Sequence, residues 1–220
     1  MIPPKQNPDF VCAMEQVLEV YKRPYNPLYP VVCLDETTKQ LVKQIRTPIR
    51  KANAEQLYDY EYERNGVAHL YMLYEPLAGQ RSVLIKHRHT RIQWAEAIVY
   101  LVREMYHTAN KITVVQDNLA AHKPSAIYEI LPPKQAAQVL SKVEFVHTPK
   151  HGSWLNMAEI EFSAIARQCL NQRIPNTEAL AKQIAQWQRN RNQKRAKTNW
   201  QFTAQDARIK LRRLYPTLIY

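Results

Sequence analysis

Apolar positions along the chain recur with two periods. In the first segment Phe10, Val11, Met14, Val17, Leu18 and Tyr21 keep helical spacing, which predicts an amphipathic helix that RPYNPLYP then stops. VVCLDE, Val31 to Glu36, is a short apolar run ending in acids, the pattern of a buried strand whose carboxyl end meets solvent. The basic stretch KQIRTPIRKANAEQ fits neither period and reads as a connection. GVAHLYMLYEP and RSVLIKH, separated by LAGQ, predict a hairpin with Gly79 in its turn, and Asn65-Gly66 after YDYEYER predicts a second turn. From Arg91 to His107 the positions Ile92, Ala95, Ile98, Val99, Val102 and Met105 predict a helix. KITVVQDN is again a short apolar run ending in an acid. SAIYEIL starts a helical piece that Pro132-Pro133 breaks and QAAQVLSK resumes, and VEFVHTP is a strand closed by Pro149. LNMAEIEFSAIARQCL and NTEALAKQIAQWQRNRN are helices, the second capped by Asn176 or Thr177 with Glu178 in its first turn. The order of strand, hairpin, helix, strand, helix, strand and helices is an α/β pattern with a mixed sheet.

The length, 220 residues at 45% hydrophobic, suits one substantial core. The expected division is an N-terminal helix and linker over 1–30, an α/β unit over 31–193 and a basic C-terminal tail over 194–220. Charge adds the first functional constraint: 31 Lys and Arg against 19 Asp and Glu leave +12, which favours a polyanionic partner, nucleic acid before an anionic membrane. No apolar run approaches the roughly 20 residues of a spanning helix, and MIPPKQNPDF lacks the apolar centre of a signal peptide, so no membrane partner and a cytoplasmic, nucleoid-associated location are expected. Cys12, Cys33 and Cys169 form no CxxC pair and read as small buried residues.

VVCLDE and VVQDN each carry an acid just past the last buried residue of a strand. Functional groups of open α/β sheets gather at such carboxyl ends, so neighbouring strands would bring Asp35 and Asp117 together. Two close carboxylates repel unless a cation lies between them, and Mg²⁺ with its oxygen preference suits that role. A third ligand is expected from the helix after HTPKHGSWLN. At about 100° per residue its apolar face holds Leu155, Ala158, Phe162, Ala166 and Cys169. Glu159 and Glu161 fall on opposite flanks of that face, and periodicity does not choose between them.

VVCLDE, VVQDNLAAH and HTPKHGSWLNMAEIEFS together resemble the motifs of the DDE-type integrase and transposase superfamily, in particular bacterial insertion-sequence transposases related to mariner elements. The resemblance runs over most of the chain, from Val31 to Asn192. It implies an RNase H-like fold, a mixed five-stranded sheet flanked by helices. It also implies a catalytic and metal-binding triad of Asp35, Asp117 and, at the LNxxE position, Glu159. The implied cofactor is Mg²⁺ or Mn²⁺ as two ions, with Asp35 bridging them and the other two acids holding one each. Asn118 and His122 of the D-N-x-x-x-H motif are implied to be auxiliary groups behind the ligands or on phosphate. The implied activity is DNA strand cleavage and 3′-OH strand transfer, the partners being element ends and target DNA, with paired ends calling for a homodimer. Family members carry N-terminal helix-turn-helix modules, so this chain reads as a catalytic half: either an upstream helix-turn-helix polypeptide or frame supplies DNA reading, or the reading frame is a truncated relic. The interval from Asp117 to Glu159 is longer than in mariner relatives, the extra length falling in LPPKQAAQVLSK.

Lys150 and His151 are expected near the site, touching DNA. RNRNQKRAK and RIKLRR are the densest basic runs, and Arg189, Lys194 and Arg195 are the expected backbone contacts. His147 and His151 flank Pro149, but no CxxC or HExxH accompanies them, which argues against zinc. Two rival readings share these features: an RNase H-like nuclease or resolvase without strand transfer, and a non-catalytic DNA-binding module derived from a transposase.

Overall fold

The computed structural model describes residues 5–45, 49–50, 56–57 and 61–217. Helix α1 (Pro8–Tyr21) is capped by the Asn7 side chain, which accepts from Phe10 N. Strand β1 (Val31–Gln44) follows, then the short pair β2 (Ile49–Arg50) and β3 (Gln56–Leu57), and the hairpin β4 (Tyr62–Glu75) and β5 (Gln80–Lys86). Helix α2 (Arg91–Tyr100) runs on as a π-helical turn to Met105. Strand β6 (Ile112–Gln116), helices α3 (Ile127–Ile130) and α4 (Pro133–Ser141), and strand β7 (Val143–His147) come next. Helices α5 (Ala158–Gln168), α6 (Thr177–Gln193) and α7 (Ala204–Lys210) complete the chain. Asn176 caps α6 by accepting from Ala179 N.

Five strands form one sheet in the order β5-β4-β1-β6-β7. The β1–β4 and β4–β5 pairs are antiparallel, whereas β1–β6 and β6–β7 are parallel. Side chains alternate across it, as the two-residue period requires. Cys33, Leu70, Met72, Tyr74 and Val115 enter one core with α1, α5, α6 and α7. Val32, Leu34, Tyr71, Leu73 and Val114 enter a second core with α2, α3 and α4. The edge strand β5 is covered by α6, whose Gln188 accepts from Val83 N and whose Asn192 exchanges hydrogen bonds with the Arg81 backbone. Such cover keeps an edge from pairing with other chains.

Three expectations of the fold change, and of the cysteines Cys12 is exposed rather than buried. First, the run VVCLDE does not end at its acids: β1 continues to Gln44, paired only with β4 beyond Cys33, so Asp35 sits within a strand, opposite Met72. What ends after Cys33 is the parallel neighbour. Second, Asn65-Gly66 is not a turn but a bulge in β4, where the register slips between Gln40 and Val42. Gly66 takes φ +88, a backbone form that turns and bulges share. Third, the described part of the basic C-terminal segment, 194–217, packs on the rest of the fold. Thr203 and Asp206 form a capping box for α7, and Ala204, Ala207 and Leu214 are buried in the same core as Phe10 and Met14 of α1. The stretch after Gln44 that fits neither period lies mostly outside the described residues. Among the described residues, no helix is long and apolar enough to cross a membrane.

Candidate active site

Adjacent acids on a strand face opposite ways, and β1 uses that. Asp35 shares the parity of Cys33 and turns to the α5 side, while Glu36 shares that of Leu34 and turns to the α2 side. Burial raises the Asp35 carboxyl to about 7 against a hydrogen bond from Glu36 N, at 2.8 Å, that lowers it. The charges of Glu159 and then Asp117 contribute to that rise. Two acids from distant parts of the chain therefore act on Asp35. This is the electrostatic signature of a site short of positive charge.

Asp117 follows the last residue of β6. Trp94 of α2 donates to Gln116 Oε1 at 2.9 Å, fixing the residue before it. Five residues on, His122 is buried and stacked on Trp94, with ring centroids 5.6 Å apart. Its Nδ1 stands 2.8 Å from Asp117 Oδ1, an ion-pair contact off the line of a hydrogen bond, and that buried oxygen receives no hydrogen bond. Its Nε2 stands 3.1 Å from Glu36 Oε1. Burial alone would lower the His122 pKa, but Asp117 and Glu36 outweigh it and hold the group at about 9, so it is a cation at neutral pH. Asn118 is exposed beside Asp117.

Helix α5 is tied to the sheet at its start. Asn156, buried, donates from Nδ2 to Leu34 O at 2.8 Å and accepts from Ala158 N with Oδ1. The residue preceding Asp35 thus anchors the residue three before Glu159, which is why an LN pair precedes the glutamate. Glu159 is exposed in the first turn. Glu161 is not on a flank as the apolar pattern suggested; it is fully buried, and Ala166 is exposed instead. Arg81 Nε lies 2.9 Å from Glu161 Oε2, and Arg191 donates from Nε and Nη2 at 2.9 and 2.7 Å. Both oxygens of Glu161 are committed to arginines. Of the two candidates, only Glu159 is free to face Asp35.

Lys150 and His151 are exposed in the turn between β7 and α5, and neither makes a hydrogen bond or ion pair among the described residues. His151 takes φ 67, and Gly152 packs so closely on Pro149 that a Cβ would stand 2.6 Å from its Cγ. The basic run after α6 is placed elsewhere. Arg189 donates to Gln186 on the exposed face of α6, Lys194 is exposed at its end, and the Arg195 backbone lies against Gly79. That turn stands at the end of the hairpin beside the start of β1, not the end towards which Asp35 and Asp117 lie. The sequence pattern also missed Glu36, Asn156 and the exposed His87, Arg88 and His89 before α2, with Arg91 at its first position; His89 reaches Glu36 Oε2.

The donor set of Asp35, Asp117 and Glu159 is all oxygen and anionic, which fits a hard divalent cation. Among the described residues no group of three or more His, Cys, Asp or Glu side chains is arranged to hold one ion.

A mixed five-stranded sheet flanked by helices, with acids gathered beside the carboxyl end of β6, defines an RNase H-like protein. Solved structures agree on the fold. A Mos1 transposase paired-end complex with the left transposon end superposes with TM-score 0.57 at 14% identity, covering 89% of this chain and 64% of that chain. Mos1 mariner paired-end complexes with Mn and with Mg both give 0.57, at 15% and 12% identity, covering 89% and 99% of this chain and 60% and 66% of theirs. The chain thus spans about two thirds of the Mos1 chain or less. It belongs to the DDE superfamily endonuclease family, whose model matches residues 30–181. A search of curated proteins finds no significant match.

Proposed function

We propose that the chain is the catalytic part of a transposase of the insertion-sequence branch related to mariner, cutting DNA and joining the resulting 3′-OH to a target. One observation supports the assignment most: burial together with the charges of Glu159 and Asp117 raises Asp35 to about 7, as expected of three acids that share a site. Asp35, Asp117 and Glu159 would hold Mg²⁺ or Mn²⁺ as two ions. Once bound, the ions would lower the pKa of the nucleophile and stabilise the leaving oxygen.

The chain's own residues supply position and charge. Asn156 holds the start of α5, so that Glu159 stays at the level of β1. His122 holds the Asp117 carboxylate from behind. Lys150 and His151 offer N–H donors to phosphates beside the acids, and Asn118 offers an amide to a flanking phosphate. Arg189, Lys194 and Arg195 would meet DNA away from the scissile bond. Element ends and target DNA are the partners, with a homodimer to pair the ends, an upstream helix-turn-helix polypeptide or frame to read them, and the cytoplasmic nucleoid as location.

The test is joining: a labelled duplex with a free 3′-OH is incubated with plasmid target and Mn²⁺. Joined product from the wild type and none from Asp117→Asn is the expected result. Hydrolysis without joining would leave the nuclease reading in its place.

A further inference from the structure

Glu36 belongs to no part of the proposed chemistry, yet both of its oxygens are engaged. Its side chain is 6% exposed, in a strand that places it on the face away from Glu159. Each carboxylate oxygen meets a different histidine: Oε1 meets His122 Nε2 at 3.1 Å, and Oε2 meets His89 Nε2. The two histidines lie 86 and 53 residues away in sequence, so the carboxylate joins three segments. His89 is further stacked on His69, at 5.7 Å between centroids, and tilted against Tyr71. The opposite nitrogen of His122 meets Asp117, and its ring is clamped by Trp94. A continuous line therefore runs from the loop before α2 through His89, Glu36 and His122 to Asp117.

We propose that Glu36 is a positioning residue for Asp117: it holds His122 by Nε2, so that Nδ1 keeps the Asp117 carboxylate turned toward Asp35. This rests on the assignment of Asp117 as a metal-binding acid. A ligating group is aimed by the hydrogen bonds behind it, and removing such a partner costs roughly 10–100-fold in metal affinity or activity. The strand alternation explains how neighbouring acids divide the work, Asp35 at the reacting face and Glu36 behind the second ligand.

The test uses the full chain with Glu36→Ala, Glu36→Gln and Glu36→Asp, reading Mn²⁺ binding by calorimetry without DNA, kcat and KM for Mn²⁺-dependent nicking of supercoiled plasmid, and the melting temperature. Glu36→Gln retains volume and an acceptor for His122 Nε2. Glu36→Asp retains charge but is one methylene too short. The expected result is that Ala and Asp weaken Mn²⁺ binding and lower kcat by about 10-fold or more, with KM for DNA within about twofold, and that Gln restores most of both. Where Ala does not fold, the contrast of Asp with Gln decides. Wild-type Mn²⁺ binding in Ala or Asp would overturn the proposal, as would a loss in Gln equal to that in Asp, or an effect confined to KM. Asp117→Asn is run alongside: undiminished Mn²⁺ binding there would reject the metal site itself, whereas abolished binding there with unaffected Glu36 variants rejects only the role of Glu36.

Discussion

Replacing Glu161 and Glu159 in turn by Gln separates scaffold from site. Glu161 is fully buried, and its two oxygens take Arg81 and Arg191 at 2.7–2.9 Å. Arg81 is itself buried, its other donors going to Asn192 and Ala196 O. Glu161→Gln therefore leaves a buried guanidinium without its counter-charge, a change that costs about 3–5 kcal/mol. For a domain of this size about 2–4 °C is lost per kcal/mol, so the melting temperature should fall by roughly 6–20 °C. Glu159 is exposed and makes no such ion pair, so Glu159→Gln should alter stability by less than about 0.5 kcal/mol. Plasmid nicking reverses the order: Glu159→Gln should lose it, while Glu161→Gln, assayed well below its melting point, should keep it. Differential scanning calorimetry and nicking on the same samples make the comparison. A stable, inactive Glu161→Gln beside an active Glu159→Gln would refute the assignment of the third ligand.

Other expectations follow from the same geometry. Asp35 ionises near 3.8 unfolded and near 7 folded, so the folded chain holds the extra proton between these values and stability falls as pH rises through them. Asp35→Asn should then be more stable than wild type at pH 8 by on the order of 2–4 kcal/mol without metal, an advantage that denaturant titrations should find absent at pH 4 and reduced by Mn²⁺. Gly79→Ala combines φ +67 with a Cβ 2.5 Å from the Arg195 carbonyl carbon, and should cost more than about 2 kcal/mol in chemical unfolding. Changing Arg189, Lys194 and Arg195 together to Ala should lower DNA affinity and reduce the salt slope by about 0.9 for each phosphate no longer neutralised; an unchanged slope would remove them from the interface.

Much of the order of elements was legible because each strand and helix buries a periodic face. The hairpin, the two parallel strands and the helices up to α6 fell where the apolar pattern put them, whereas α7 lies in a segment read only as basic. The length of β1 was not legible: beyond Leu34 it buries little, so DETTKQLVKQ carries no apolar alternation. Asn65-Gly66 misled because a two-residue turn and a bulge make the same demand for positive φ. Asp117 stood out as an acid directly after a buried run. The buried place of Glu161 was invisible to helical periodicity, since its counter-charges come from Arg81 on another strand and Arg191 on another helix. Glu36 was overlooked for a similar reason: a strand pattern shows which face an acid takes but not the histidines waiting there.

The most direct test is Mn²⁺-dependent nicking of supercoiled plasmid by wild type, Asp35→Asn, Asp117→Asn and Glu159→Gln, each first shown by circular dichroism to be folded. The wild type should nick, stop on chelation, and outpace every variant by at least about 100-fold in rate, near 2.7 kcal/mol of barrier. Nicking that survives in any of the three variants at the wild-type rate would contradict a single site built from these acids.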